Sequence, residues 1–257
     1  MNYTYRTGDH VLLVDKKRRR YLIVLEPGEE FHSHNGVVAH DDLIGTTEGK
    51  TILSSRGGSF VSFRPSLAEY ILKMPRGAQV IYPKDLASIL MFADVFPGAR
   101  ILETGVGSGA LSMALLRAGA SVVGYEIRED FAKRASANVE AMLGGEVIDR
   151  YQVLIRDAYK GIDNDDFDRI LLDLPEPWRV TPHAAGSLKP GGIMLAYTPS
   201  IVQVSKFHKG LAENGFGLVE TTEVIHRNWH VEGEAIRPNH RMVAHTGFLT
   251  YARLLVA

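Results

Sequence analysis

The chain has no cysteine in 257 residues. Disulfides, thiolate nucleophiles and cysteine-ligated zinc or iron–sulfur sites are thereby excluded. Uninterrupted apolar runs are short, residues 193–196 among them, against the roughly 20 residues that span a bilayer. The opening MNYTYRTGDH has no apolar stretch behind a positive start, so no secretory signal is visible and the simplest expectation is a cytoplasmic protein. Charge of one sign is not in excess either: 29 Lys+Arg face 30 Asp+Glu, a net charge of −1. An apolar content of 45% with 23% charged residues excludes a disordered or collagen-like chain. At about 150 residues per domain, the length fits one main domain and a smaller appendage.

The net figure conceals a gradient. Residues 1–84 hold 12 Lys+Arg against 9 Asp+Glu, and the remainder 17 against 21. Five of the early cations form one run, Lys16-Lys17-Arg18-Arg19-Arg20. Alone, such a run reads as a solvated turn; only a patch assembled in three dimensions makes it a phosphate footprint.

The first 65 residues read as short strands with turn punctuation: HVLLVD at 10–15, YLIVLE at 21–26, then 51–54 and 59–63 around Gly57-Gly58. This pattern predicts a small β-rich N-terminal domain, a barrel or sandwich. Ser66 with Glu69 three residues on is a capping box, so residues 66–79 read as a helical linker. From residue 80 to 257 strands and helices alternate, predicting an α/β, Rossmann-like parallel sheet. Strands are expected at 100–104, 121–127, 151–156, 169–174 and 193–198, with helices at 83–95, 108–118, 128–143, 181–188 and 201–213. The last two strands, 217–226 and 245–255, have no helix between them and predict a terminal antiparallel pair.

The strongest local signal is ILETGVGSGALSMALL at 101–116. A buried strand feeds the turn Gly105-Val106-Gly107-Ser108-Gly109, whose glycines permit positive φ and close ligand approach. At the end of the next strand Glu126, in GYEIRED, is placed to accept hydrogen bonds from ribose hydroxyls. The turn also satisfies the dinucleotide pattern, which keeps a nicotinamide cofactor open. Glu103 argues against it, because a carboxylate repels a pyrophosphate and welcomes an ammonium group. Asp157 closes another strand, and a lone Asp there is ordinarily a turn former. Asp173 opens DLPEPW after the fourth parallel strand, where two prolines stiffen the backbone. His32 and His34 share a strand spacing compatible with a metal, but no third ligand is evident.

E-x-G-x-G-x-G followed by an acidic strand end resembles the class I S-adenosylmethionine-dependent methyltransferases. Further motifs, Tyr82-Pro83-Lys84-Asp85, LDLPEPW, AYTPS and His245-Thr246-Gly247-Phe248, together with the glycine loop and YEIRED, resemble the tRNA (adenine-58-N1)-methyltransferases of bacteria and archaea over essentially the whole chain. That resemblance implies a class I methyltransferase sheet and a homotetramer that methylates N1 of adenosine 58 in the tRNA T-loop, with adenosine 57 left open, and neither metal nor membrane. By the same carry-over, Glu103, Gly105, Val106, Gly107, Ser108, Gly109, Glu126, Ile127, Asp157, Ala158 and Asp173 hold S-adenosyl-L-methionine. Asp173 would be the catalytic carboxylate, and Tyr82 an aromatic that stacks on the flipped adenine. Arg179 and Arg241 are candidate phosphate contacts, while His245 and Trp229 are open between structural and RNA roles. Two rivals stand beside this reading: a methyltransferase for protein carboxylates or small molecules, and a non-catalytic tRNA-binding subunit.

Overall fold

A computed structural model of the chain describes residues 3–77, 79–163 and 166–256. It divides into two units, Met1–Met74 and Pro75–Ala257. In the first, β1 (His10–Asp15), β2 (Arg20–Val24), β3 (Glu30–Ser33), β4 (Gly36–Ala39), β5 (Thr51–Leu53) and β6 (Ser59–Phe63) are followed by α1 (Leu67–Lys73). An antiparallel sheet runs β2-β1-β6-β5, and β3–β4 is a separate hairpin. Val11 and Leu13 alternate inward from β1 and meet Leu25, Val38, Leu43 and Phe60 in one core, as a period of two requires.

Two features of this unit differ from the sequence expectation. The β3–β4 hairpin was not foreseen, because His-Ser-His-Asn interrupts its alternation and hides both strands. The capping box forms as expected, Ser66 and Glu69 each serving the other's backbone. Its helix, however, is no free linker: Tyr70 and Ile71 are buried, and Tyr70 meets the His10 ring edge-on at 5.1 Å. The division therefore falls after Met74, where Pro75 cannot continue the helix.

The second unit contains α2 (Pro83–Phe92), β7 (Arg100–Thr104), α3 (Ala110–Arg117), β8 (Ser121–Glu126), α4 (Glu129–Leu143), β9 (Tyr151–Ile155), β10 (Phe167–Leu172), α5 (Thr181–Ala184), β11 (Leu188–Thr198), α6 (Ile201–Glu213), β12 (Phe216–Glu223), β13 (Trp229–Glu232), β14 (Ala235–Pro238) and β15 (Phe248–Leu254). Its seven-stranded sheet runs β12-β15-β11-β10-β7-β8-β9. The pairs from β9 through β11 are parallel, and β15 is antiparallel to β11 and β12. The order reverses between β7 and β10, so a crevice opens at their carboxyl ends, the place where open sheets bind ligands. A strand at the sheet's centre is covered on both faces, and β7 is accordingly buried from Ile101 to Thr104.

The helix expected over 181–188 is a single turn, and β11 begins already at Leu188. Between the terminal strands the chain adds the β13–β14 hairpin, reversing at Gly233 (φ +53°), whose four-residue strands are too short to signal themselves. No described helix is long and apolar enough to cross a membrane.

Candidate active site

The loop after β7 is shaped by its glycines. Gly105, Gly107 and Gly109 all have positive φ, at +78°, +58° and +83°. A Cβ on Gly105 would lie 2.2 Å from the Asp173 carbonyl oxygen, a clash no rotamer relieves because the neighbour is backbone. Gly105 is therefore required by the approach of the β10 loop as much as by its own dihedral. At Gly109 the chain turns into α3 in the left-handed conformation, and a Cβ there would stand 3.1 Å from the Ala135 carbonyl of α4.

Glu103, Gly105, Val106, Gly107, Ser108 and Asp173 line one pocket, closed on its other side by Gln79, Val80 and Ile81. Glu126 reaches the same loop: its Oε2 accepts the Gly107 N–H at 3.0 Å, and its Oε1 accepts those of Ile127 and Arg128 at 2.8 and 3.0 Å. Three backbone donors thus fix the carboxylate; Oε1 is filled by its two donors, and Oε2 keeps a lone pair for a hydroxyl. Ile127 itself is 67% exposed, available to cover a flat ring. One strand further out, Asp157 caps a short turn by accepting the Tyr159 N–H at 3.0 Å, and Ala158 is buried beneath it. The turn-former reading of Asp157 holds locally. Its turn also meets the DLPEPW loop, for the Tyr159 hydroxyl accepts the Glu176 N–H at 3.0 Å.

Electrostatically the pocket is unbalanced. Burial pushes the Glu103 carboxyl up to about 8, with the nearby Asp173 charge adding to the rise and the Ser112 hydroxyl, 2.6 Å away, opposing it. Burial likewise pushes Asp173 up to about 7. Among the described residues neither carboxylate has an ion pair with a Lys, Arg or His side chain. A bound positive charge would favour the ionised forms of both carboxyls, so the pocket suits a cationic ligand. Buried oxygens without partners, Thr104 Oγ1, Thr198 Oγ1 and Gln203 Oε1, stand at the ends of β7 and β11 and in the first turn of α6. Each costs about 1–3 kcal/mol while unsatisfied. A sulfonium compound bearing an ammonium group and a nucleoside fits the donor set: carboxylates for the cations, glycine backbone for close approach, Glu126 for a ribose. A larger hollow by Arg100, Val122 and Tyr151 lies at the amino ends of the strands, the wrong edge for such a site.

The chain matches the family described as the GCD14 subunit of the tRNA methyltransferase complex over residues 59–237, and the TrmI-like N-terminal family over residues 4–52. It is 35% identical to the tRNA (adenine(58)-N(1))-methyltransferase TrmI of Thermus thermophilus, an alignment covering 95% of this chain and 96% of that one. The chain belongs to this tRNA methyltransferase family. Among solved structures it is similar to the tRNA (m1A58) methyltransferase TrmI of Aquifex aeolicus, with a TM-score of 0.87, 32% identity, and coverage of 99% of this chain and 100% of that one. A Thermotoga maritima protein named a SAM-dependent O-methyltransferase gives a TM-score of 0.94 at 36% identity, covering 99% and 96%.

In this member of the family the DLPEPW loop is clamped from several sides. Asp173 N–H donates to the Thr104 carbonyl, Gln203 of α6 donates to the Pro175 carbonyl at 2.8 Å, and Trp178 packs into the core against Gly210. Trp178 is thus a brace of the loop rather than a group facing the pocket. Tyr82 is the half-buried N-cap residue of α2; it follows Ile81 of the pocket wall without lining the pocket itself.

Sequence reasoning missed what the flanking motifs do together. Lys84 Nζ is buried and donates to Asp85 Oδ1 (2.8 Å), the Val224 carbonyl (2.6 Å) and Thr246 Oγ1 (2.6 Å). Thr246 Oγ1 donates to the second Asp85 oxygen at 2.6 Å, and the Tyr197 hydroxyl donates to the Thr246 carbonyl at 2.5 Å. Gly247 is needed beside it, for a Cβ there would meet the Tyr197 ring at 2.5 Å. This network fixes the start of α2, and with it Tyr82, to the ends of β11 and β15. In sequence its charged members, Lys84 and Asp85, stand 162 and 161 positions from the threonine they share.

The remaining candidates sort as follows. His245 is exposed and holds Glu223 Oε1 at 2.6 Å and the Pro199 carbonyl at 3.0 Å, and the Pro199 and Glu223 acceptors raise its pKa. His32 faces Glu30 at 3.2 Å, whereas His34 sits in the turn after β3 against Arg19, so the two do not share a strand face. Among the described residues no group of three His, Asp or Glu side chains is placed to hold a metal. Arg179 pairs with Glu176 at 2.8 Å, Arg241 is exposed, and Trp229 is 58% exposed on β13.

Proposed function

We propose that this protein transfers a methyl group from S-adenosyl-L-methionine to N1 of adenosine 58 in the T-loop of tRNA, giving 1-methyladenosine, in the cytoplasm. The observation that carries the reading is the uncompensated carboxyl of Asp173, fixed by the DLPEPW loop against the glycine turn. S-Adenosyl-L-methionine supplies an electrophilic methyl on a cationic sulfur. Gly105, Val106, Gly107, Ser108 and Gly109 form its backbone cradle, Glu103 faces its ammonium end, Glu126 and Ile127 hold the ribose and one ring face, and Asp157 with Ala158 receives the adenine end.

Methylation of N1 uses the nitrogen lone pair and releases no proton in the bond-forming step, so positioning matters more than base strength. Positive charge grows on the target ring as the bond forms, and Asp173 is the group placed to stabilise it. Tyr82 stacks on the base drawn from the T-loop. Extruding that base costs a few kcal/mol, offset by contacts to the rest of the tRNA, with Arg179 and Arg241 as phosphate partners. The assembly in this reading is a homotetramer; Trp229, Val231 and Ile236, all more than half exposed on the β13–β14 hairpin, supply apolar surface for it.

A methyltransferase acting on oxygen is the second reading, favoured by the name of the Thermotoga protein and by an Asp173 carboxyl near 7, poised to take a hydroxyl proton. Purified chain is incubated with methyl-labelled donor and unmodified tRNA, and the nucleosides are read by mass spectrometry at positions 57 and 58. Label in 1-methyladenosine is the expected result. Label confined to protein carboxyls or small hydroxylic compounds overturns the assignment, and transfer only with an added partner chain would point to a non-catalytic subunit.

A further inference from the structure

The run of cations at residues 16–20 has no part in the site described above, and its partners in space change its meaning. Three hairpin turns of the first unit converge on one end of its strands: 16–19 between β1 and β2, 34–35 between β3 and β4, and 54–58 between β5 and β6. They are interlocked. Ser54 Oγ donates to the Asn35 carbonyl and accepts the Gly58 N–H at 2.9 Å. A Cβ on Gly36 would lie 2.9 Å from the Arg56 nitrogen, and one on Gly58 would lie 2.7 Å from the Asn35 carbonyl oxygen. Both glycines are therefore demanded by the meeting of the turns.

Asp15 anchors the basic turn from within. Its side chain is 1% exposed and accepts the Lys17 and Arg19 N–H groups at 2.9 Å each and Arg19 Nε at 2.6 Å. Arg19 is thereby used up as a strut, and Arg20 faces Glu69 at 3.6 Å. Lys16, Lys17, Arg18 and Arg56 remain exposed and form no ion pair among the described residues. Lys16 and Lys17 line a pocket with Asp15, Asn35, Gly57 and Gly58, so that it draws on all three turns. The opposite ends of the same strands carry the acids: Asp9 and Glu26 flank β1 and β2, and Glu29, Glu30, Asp41 and Asp42 flank β3 and β4. The unit is thus polarised end to end, an arrangement its composition conceals.

We infer that the surface formed by Lys16, Lys17, Arg18 and Arg56, on two of these turns, binds the phosphodiester backbone of the substrate RNA. Its charges are fixed by an interlocked backbone, unneutralised, and spread over turns from different hairpins, which suits a row of phosphates rather than one small anion. The inference rests on the tRNA reading above and adds a docking surface to it.

The test is the K16A/K17A/R56A variant of the full chain, titrated with unmodified tRNA over a series of salt concentrations beside the wild type. All three side chains are exposed, so the melting temperature and the affinity for S-adenosylhomocysteine should match the wild type. Binding of tRNA should weaken roughly tenfold or more, and the slope of log affinity against log salt should become shallower by about three, one per phosphate contact removed. Turnover at saturating tRNA should persist while KM rises. A wild type that binds tRNA, beside a variant with the same affinity and salt slope, overturns this surface and leaves the methyltransferase reading standing. A wild type that binds S-adenosylhomocysteine but neither binds nor methylates tRNA overturns the parent reading and this inference with it.

Discussion

Two regions of this protein hold charge out of balance, with opposite signs and opposite physics. At the turn end of the first unit, Lys16, Lys17, Arg18 and Arg56 stand in water, where like charges cost little and only a polyanion makes them add. In the methyltransferase pocket, Glu103 and Asp173 are withdrawn from water, and their charge is suppressed, the carboxyls being pushed up to about 8 and about 7. Water screens the exposed set from one another, whereas burial raises the buried set towards their protonated forms, an effect that a cation bound beside them would oppose. A net charge of −1, the balance of 29 Lys+Arg against 30 Asp+Glu, describes neither region.

The largest effect is expected where opposite charges are buried together and one is removed. Lys84→Met leaves Asp85 fully buried without its cation and should cost about 3–5 kcal/mol, read as a fall in melting temperature, while Lys84→Met with Asp85→Leu recovers most of it. Failure of the double variant to recover stability would show that the network is held by Thr246 and Tyr197 rather than by the ion pair. Next comes Asp173→Asn, which removes the charge facing the reacting base: turnover should drop roughly 100- to 1000-fold with tRNA affinity nearly unchanged. A variant with near-normal turnover breaks the assignment of Asp173.

The pH dependence sharpens the comparison directly. Between about pH 4 and pH 8 the folded state holds protons on Glu103 and Asp173 that the unfolded chain has released, so stability of the ligand-free protein falls as pH rises across that window. Glu103→Gln removes one such group and should stabilise the ligand-free protein at pH 8 by on the order of 2 kcal/mol, while weakening binding of S-adenosyl-L-methionine. Calorimetric melts at several pH values check it, and a wild-type curve flat from pH 5 to pH 8 would sink the account of the pocket. The smallest effect belongs to Asp15→Asn. It keeps every exposed cation but loosens their frame, so tRNA affinity should fall severalfold and the Lys17 and Arg19 amides should exchange faster with solvent.

Legibility from sequence followed the range of the interactions. The glycine turn, the Ser66–Glu69 capping box and the alternation of β7 to β11 were readable, because each is decided by neighbours a few residues apart. The hairpins β3–β4 and β13–β14 were not, since their strands are only four residues long, too short for a period of two to declare itself. Among site residues, Glu103, Glu126 and Asp173 were legible as carboxylates at strand ends, while the roles of Lys84, Asp85 and Thr246 required the two ends of the unit to meet. His34 was misread for the same reason: its partner Arg19 lies 15 positions away on another hairpin.

By itself the sequence determined where the backbone must turn and which strand ends carry acid, because glycine dihedrals and strand periods are properties of short segments. Only the tertiary structure decided which of those acids are desolvated, which cations are spent on Asp15 or Asp85, and which stay exposed without an ion pair among the described residues. Desolvation and Coulomb energy depend on distance through the folded molecule, and chain order does not carry that distance.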